Sequence, residues 1–463
     1  MASRPNILFI LVDDMGYGDF GAFNGDASST PTLDYLMAES LCLTQQYTAS
    51  PVCNPSRACL LTGRYPHRTG SIDTLEWRGL ERLALRETTL ADLLKEHGYA
   101  TGLVGKWHLG SYDPRYHPNQ RGFDETVCFR GGMHDYYDWR LEFNDTVRRA
   151  DGRYLTDVWT EESVGFIDRH KEQPFFLHVT FNAPHTPLQV PDQEVEPFLG
   201  MEGINKGVAT LYGMIHRMDT GVARILEALE RNGLQDNTIV FFTSDNGPQF
   251  GGQGETRLDR FNCNFNGAKG MVYEGGIRVP MLIRWPGGLE PGGELHDMVH
   301  FSDWFPTILA MTGVELPDDH LPLDGLNVLP VLRGEGGKVE TRRFWQWNRY
   351  TPVGTCNAAM RDGDWKLIRP TIKEALNMPE MEWLRVSMYE YEYFLEHGVR
   401  QDPEPEREVP LPPPPELYNL AEDPLERDNL AAVHPDIEHR MSVELETWFG
   451  EVEAERATID DVW

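Results

Sequence analysis

Two pairs of side chains rich in oxygen, Asp13-Asp14 and Asp245-Asn246, stand out in this sequence. They offer oxygen ligands alone, a set that suits a hard divalent cation, Ca2+ or Mg2+. Zinc and copper prefer nitrogen or sulfur. A cation held there would neutralise negative charge on a bound ester and lower the pKa of a coordinated hydroxyl. A second set is cationic: Arg57, Lys106 and Lys269, with the imidazoles of His108 and His185. Fixed cations stabilise the nonbridging oxygens of an oxyanion ester, and a nearby imidazole can protonate its leaving oxygen. The third element is a thiol, Cys53, within Ser50-Pro-Val-Cys-Asn-Pro-Ser-Arg-Ala-Cys-Leu-Leu-Thr-Gly-Arg64. Pro55 suits the first turn of a helix and Gly63 the position just past its end. Cys53 then lies at or just before the N-terminus of a two-turn helix, with Arg57 one turn on. Free backbone N–H groups, the positive end of the dipole and a guanidinium all favour an anion beside that thiol. Such a thiol can act as a nucleophile. Taken singly, each residue also has a plainer reading: acidic turns, a surface lysine, a core histidine, an inert buried cysteine.

The elements that must position these residues can be read in order. Asn6–Val12 is a continuous apolar run, the pattern of a strand buried on both faces of a parallel sheet, and it stops at Asp13-Asp14. Similar strands are expected at Tyr99–Val104, before Gly105-Lys-Trp-His-Leu-Gly110, and at Pro174–Phe181, before Asn182-Ala-Pro-His185. A fourth, Asn237–Thr243, runs into Ser244-Asp-Asn-Gly247. Helical patterns open at Pro31 and at Thr88, and a long one covers Val208–Arg231. Strands alternating with helices at crossover spacing imply a mostly parallel sheet. Ligands in such sheets bind beyond the carboxyl ends of the strands, where four separate polar sets are expected to meet. His178, inside an apolar strand, reads as core, and Cys42 and Cys59 read as reduced core residues in helices.

Gly251–Tyr273, with Lys269, reads as loop, Ile277–Trp285 as a strand, and Asp303–Gly313 as a helix. The boundary is placed at residue 335, giving a catalytic domain over 1–335 and a C-terminal subdomain over 336–463. Phe344–Asn348, Cys356–Met360 and Trp365–Ile368 predict a small antiparallel sheet around an Arg361–Asp364 turn. Glu404–Pro415 reads as extended and exposed, and a helix is expected from Asp436 to about Ala457. Gly131–Trp139 and Trp345–Tyr350 carry aromatics able to stack on a sugar or aryl ring, or to pack in the core.

Cys53-Asn-Pro-Ser-Arg57 followed by Ala-Cys-Leu-Leu-Thr-Gly-Arg64 resembles the signature of the type I sulfatases, in which this Cys is converted to formylglycine. Further resembling segments fall in family order: Asn6–Asp14, Gly105–Gly110, Ala183-Pro-His-Thr-Pro187, Thr243–Gly247, Lys269 before Glu274-Gly-Gly, Asp303-Trp-Phe-Pro-Thr307 and Glu416–Pro424. The resemblance implies an alkaline-phosphatase-like α/β fold, its large, mostly parallel sheet covered by helices on both faces. A smaller C-terminal antiparallel sheet-plus-helix subdomain would follow. It implies hydrolysis of an aryl or carbohydrate sulfate monoester, with Asp13, Asp14, Asp245, Asn246 and the modified residue 53 holding Ca2+, or Mg2+ as the alternative. By the same analogy Asp245 helps activate the nucleophilic hydroxyl, Lys106 and Lys269 grip the sulfate, Arg57 and His108 hold the aldehyde hydrate, and His185 is the general acid. One hydroxyl of the hydrate would attack sulfur and the other would release sulfate, so a formylglycine-generating maturation enzyme is an implied partner. The rivals are a phosphonate or phosphate ester hydrolase on the same fold and a non-catalytic binding homologue.

The chain has 463 residues, a formal net charge of −31 and six cysteines without a Cys-x-x-Cys pair. That charge argues against nucleic acid and anionic membranes as partners. It is concentrated in residues 371–463, which hold 24 acidic against 7 basic side chains. No apolar run approaches the ~20 residues of a membrane span. Ile7–Val12 is too short for a signal peptide core, so a chain starting naturally at residue 1 is expected in the cytoplasm. A leader removed before residue 1 would make it periplasmic or secreted.

Overall fold

The computed structural model describes residues 4–379, 382 and 387–460. Ten strands form the main sheet. Its middle is five parallel neighbours in the spatial order Thr238–Ser244, Asn6–Val12, Phe175–Thr180, Ala100–Lys106 and Glu125–Phe129. Met281–Arg284 joins one side antiparallel, while Arg140–Phe143 and Thr146–Arg149 extend the other. The run Asn6–Val12 is continuous because both faces are covered. Leu8, Ile10 and Val12 meet helices Leu155–His170 and Lys206–Arg231, whereas Ile7, Phe9 and Leu11 meet Cys53–Thr62, Leu90–Glu96 and Phe301–Thr312.

Register brings the strand ends level. Leu11 pairs with Thr180, Val12 with Ser244 and Gly105 with Thr180. Gly105 is required there: at φ +128°, a Cβ would stand 2.0 Å from the Thr180 carbonyl oxygen.

Four strands, Arg342–Gln346, Ala358–Asp362, Trp365–Arg369 and Glu416–Asn419, make a second, antiparallel sheet. Met441, Leu445, Trp448 and Val452 of helix Pro435–Arg456 cover one face at helical spacing. The other face, with Trp345, Ala359 and Ile368, packs on Tyr47, Val272 and Ile277 of the main domain.

Three local expectations are corrected. Cys42 lies in a strand, Leu41–Leu43, paired to Met281–Arg284, because the preceding helix ends at Ala38. Lys106 is the last residue of its strand rather than a loop residue beyond it. The segment read as one strand, Ile277–Trp285, is a helical turn, Glu274–Ile277, then a strand starting after Pro280, which has no N–H for a ladder.

Candidate active site

The helix carrying residue 53 runs Cys53–Thr62, capped by extended Val52 and ended by Gly63 at φ +69°. A Cβ at Gly63 would also lie 2.9 Å from Phe305 Cβ, so the stop is fixed by packing as well as by φ. Cys53 therefore occupies the first helical position, buried at the floor of a cleft of about 330 Å³.

The expected residues converge on it from four adjacent strand ends. Ligand atoms of Asp13, Cys53 and Asp245 lie within 4.8 Å of one another, as do those of Asp13, Asp14 and His185. Arg57 reaches back from the helix: its Nε donates to Asp245 Oδ2 at 2.9 Å, Nη2 stands 2.7 Å from the same oxygen, and Nη1 donates to the Lys106 carbonyl. Lys106 Nζ donates to Asp13 Oδ2 at 2.7 Å, and Lys269 Nζ to Asp14 Oδ2 at 2.8 Å. His185 holds Nδ1 against the Thr186 carbonyl at 2.7 Å, leaving Nε2 toward Asp14 at 3.8 Å. Asp14 and His108 both take positive φ, at 67° and 56°. His108 is buried with neither ring nitrogen hydrogen-bonded among the described residues, which is not the satisfied core imidazole of the plainer reading. His178 is a core residue, as read: packed between Phe9 and Phe176, its imidazole is pushed down to about 3 by burial and by Arg57.

The charges are interlocked. Burial works to raise the Asp13 carboxyl, but Lys106, His185 and Arg57 hold it well below the usual carboxylate range. Asp245, equally buried and facing Asp13, is pushed up instead, against the pull of Arg57. Burial pushes the Cys53 thiol up, with Lys106 and Lys269 opposing. An unmodified thiol here is a poor thiolate nucleophile.

Two buried acceptors, Asp13 Oδ1 and Asn246 Oδ1, have no hydrogen-bond partner among the described residues. Asn246 donates through Nδ2 to Asp14 Oδ1 at 2.7 Å, which fixes its carbonyl oxygen as the free end. Orphaned buried oxygens beside three carboxylates fit a hard divalent cation.

Sequence reasoning did not single out Thr74, Glu76, Trp77, Phe250 or Met378, which also line the cleft. The signal for the first three is a polar-aromatic run, Asp73-Thr-Leu-Glu-Trp-Arg78; Phe250 and Met378 carry none. Of the two aromatic stretches, Met133 and Trp347 reach the cleft with Arg349, whereas Tyr136, Trp139 and Trp345 are core.

A parallel α/β sheet that gathers cations, carboxylates and a helix-borne nucleophile position at one edge defines a site for an oxyanion ester. The chain belongs to the sulfatase family: the family model "Sulfatase" matches residues 5–314, and the model "N-sulphoglucosamine sulphohydrolase, C-terminal" matches 265–400. It is 36% identical over 362 residues to human N-acetylgalactosamine-6-sulfatase, covering 71% of this chain and 66% of that protein. The chain thus spans just under two thirds of the length of that relative. An uncharacterized sulfatase of Escherichia coli K12 is 31% identical, with 95% of this chain and 84% of that protein covered. Among solved structures, Ps i-CgsB in complex with k-i-k-neocarrahexaose superposes with a TM-score of 0.79 at 30% identity, covering 96% of this chain and 93% of that one.

Proposed function

We propose that this protein hydrolyses a sulfate monoester of a saccharide to the alcohol and inorganic sulfate, with residue 53 as formylglycine. Asp13, Asp14, Asp245 and Asn246, with residue 53, would hold one Ca2+, Mg2+ being the alternative. When present, the ion supplies positive charge for the sulfate oxygens, and the hydrated aldehyde supplies a nucleophilic hydroxyl and a second hydroxyl for releasing sulfate. The side chains divide the remaining work. Lys106 and Lys269, on opposite flanks of the carboxylates, grip nonbridging oxygens and stabilise the charge that builds on them. Arg57 orients Asp245, which takes the proton from the attacking hydroxyl. The unpartnered ring of His108 is free to hold residue 53 in its reacting orientation. His185, its Nδ1 fixed by Thr186, carries a proton at Nε2 for the departing alcohol oxygen. Burial and Lys269 push that imidazole down, with Asp13 and Asp14 opposing, and the negative charge of a bound sulfate ester favours its protonated form.

The observation that carries this reading is the convergence of Asp13, Cys53 and Asp245 within 4.8 Å, ringed by Arg57, Lys106 and Lys269. A saccharide leaving group is supported by a relative named N-acetylgalactosamine-6-sulfatase and by a neighbour solved in complex with k-i-k-neocarrahexaose. A formylglycine-generating enzyme is the partner this chemistry requires. The cytoplasmic placement belongs to the same proposal and is supported by six unpaired cysteines. The test is protein co-produced with a formylglycine-generating enzyme, its residue-53 peptide checked by mass spectrometry. Rates on aryl sulfate, sulfated mono- and disaccharides and aryl phosphonate are then compared. Sulfate esters should be preferred; a preference for phosphonate of about tenfold, equivalent to ~1.4 kcal/mol, would overturn the assignment.

A further inference from the structure

The leaving-group side of the cleft carries polar groups that no protein contact satisfies. Trp347 is only 5% exposed, lines the cleft, and its indole Nε1 has no hydrogen-bond partner among the described residues. Its position is fixed from both sides. Trp347 N donates to the Asn357 carbonyl at 3.1 Å, and Asn357 Nδ2 donates to the Trp347 and Gly270 carbonyls at 2.8 and 2.9 Å. The ring lies against Gly270, where a Cβ would sit 3.5 Å from Trp347 Cζ3. Gly270 follows Lys269 directly, so the indole stands beside the lysine that faces Asp14.

Arg349 completes this wall. Its guanidinium lies 5.1 Å over the Trp347 ring, and its Nη1 is tied to Asp73 Oδ1 at 2.9 Å and Thr74 Oγ1 at 2.6 Å. Among the described residues nothing binds Nε or Nη2. One edge is thus clamped while the other keeps a two-N–H fork, the shape that takes two oxygens of a carboxylate or sulfate at once. Asp73 is itself engaged by the Tyr350 and Thr74 amides, and Glu76 by the Gly132 amide at 2.6 Å, so neither carboxylate is free to fill that fork. A buried indole N–H and an open guanidinium edge in one cleft are expensive features unless a ligand meets them.

We propose that Trp347 and Arg349 form a subsite for the sugar ring that bears the scissile sulfate: the Trp347 indole N–H donates to an oxygen of that sugar, and Arg349 anchors a second anionic group on it, a carboxylate or a further sulfate. The inference rests on the sulfatase reading and specifies its substrate class as dianionic sugars.

The experiment uses full-length, formylglycine-bearing protein and three sugars of one ring type: a monosulfate, the same monosulfate carrying a second sulfate, and the same monosulfate on a uronic acid. Wild type should favour one or both dianions in kcat/KM by about 10- to 100-fold, the span one charge-assisted hydrogen bond provides. The uronate and disulfate arms tell which anion is read. Arg349→Met should collapse that ratio chiefly through KM, and Arg349→Lys, which keeps the charge facing Asp73, should recover part of it. Equal wild-type rates on all three sugars overturn the subsite without any variant, as does an Arg349→Met ratio equal to wild type. Turnover of a small aryl sulfate separates the two failures. If that and turnover of all three sugars are absent from formylglycine-bearing protein, the sulfatase reading fails and takes the subsite with it; if either is present, only the subsite is refuted.

Discussion

Replacing Lys366 by methionine should destabilise the protein and weaken its hold on substrate together. Lys366, fully buried on the Trp365–Arg369 strand, stands 2.8 Å from Glu274 Oε1 and 2.7 Å from Glu426 Oε1. Glu426 in turn accepts the Glu274 amide at 2.8 Å, and Tyr47 donates to Glu274 Oε2 at 2.7 Å. Burial pushes the Glu426 carboxyl up to about 7 even with Lys366 beside it. Glu274 is held down to about 2 because Lys366, Arg278 and Arg361 outweigh its burial. Methionine keeps the length and removes the charge, leaving two carboxyls facing each other away from water. Removing one partner of such a pair costs about 3–5 kcal/mol. Glu274 heads the turn five residues after Lys269, so the loop carrying that lysine loses its anchor to the second sheet. Urea midpoints and KM for an aryl sulfate are the readouts. The triple variant Lys366→Met/Glu274→Gln/Glu426→Gln, which removes all three charges of the cluster, should regain much of the lost stability. A Lys366→Met protein within about 1 kcal/mol of wild type would refute the electrostatic argument. Lost stability with an unchanged KM would refute the link to the Lys269 loop.

Cys53→Ser should release at most one equivalent of alcohol per site and then stop, because a serine ester has no second hydroxyl to expel sulfate; steady turnover would contradict the proposed chemistry. Ca2+ or Mg2+ at a hundred times its dissociation constant should stabilise the protein by about 2.7 kcal/mol, read as a shift in unfolding midpoint. Asn246→Ala should shrink that shift, and a variant responding like wild type would remove Asn246 from the ligand set. Glu81, wholly buried, has its carboxyl pushed up to about 7 by burial, with Arg82 opposing and Glu76 reinforcing. A carboxyl raised in the folded state contributes stability below its unfolded value near 4.5, and that contribution is lost as pH rises through about 7. Glu81→Gln should therefore flatten the pH–stability curve across that window by up to about 3 kcal/mol, and an unchanged slope would refute it.

What the sequence made legible follows from where its information is local. Asp13, Asp245 and Lys106 each sit at the end of an apolar run, and a parallel sheet with level registers turns four such ends into one edge. The helix at Cys53 carries its own start and stop in Pro55 and Gly63, so the position of the nucleophile follows from a dozen residues. Cys42 was misread because a three-residue strand at the sheet's side has no periodicity to distinguish it from the tail of the preceding helix. The wall facing the leaving group was the least legible part. Trp347 and Arg349 come from the loop after the strand Arg342–Gln346, Thr74 and Glu76 from the segment after the helical turn Pro66–Thr69, and Met378 from just past the turn Lys373–Leu376, and nothing in their spacing joins them. The same division runs through the chemistry. In the proposed reading sulfate is one small tetrahedral anion, held mostly by side chains at the ends of core strands and on the Cys53 helix, and so its site is written largely into core-forming segments. The alcohol it is attached to varies, and it is met by loops and by a sheet docked through buried ion pairs, where substitutions alter recognition without disturbing the carboxylate and lysine pairs beneath. Specificity here depends on that docking as much as on contact residues, since Asn357 holds both the Trp347 backbone and the carbonyl of Gly270, next to Lys269.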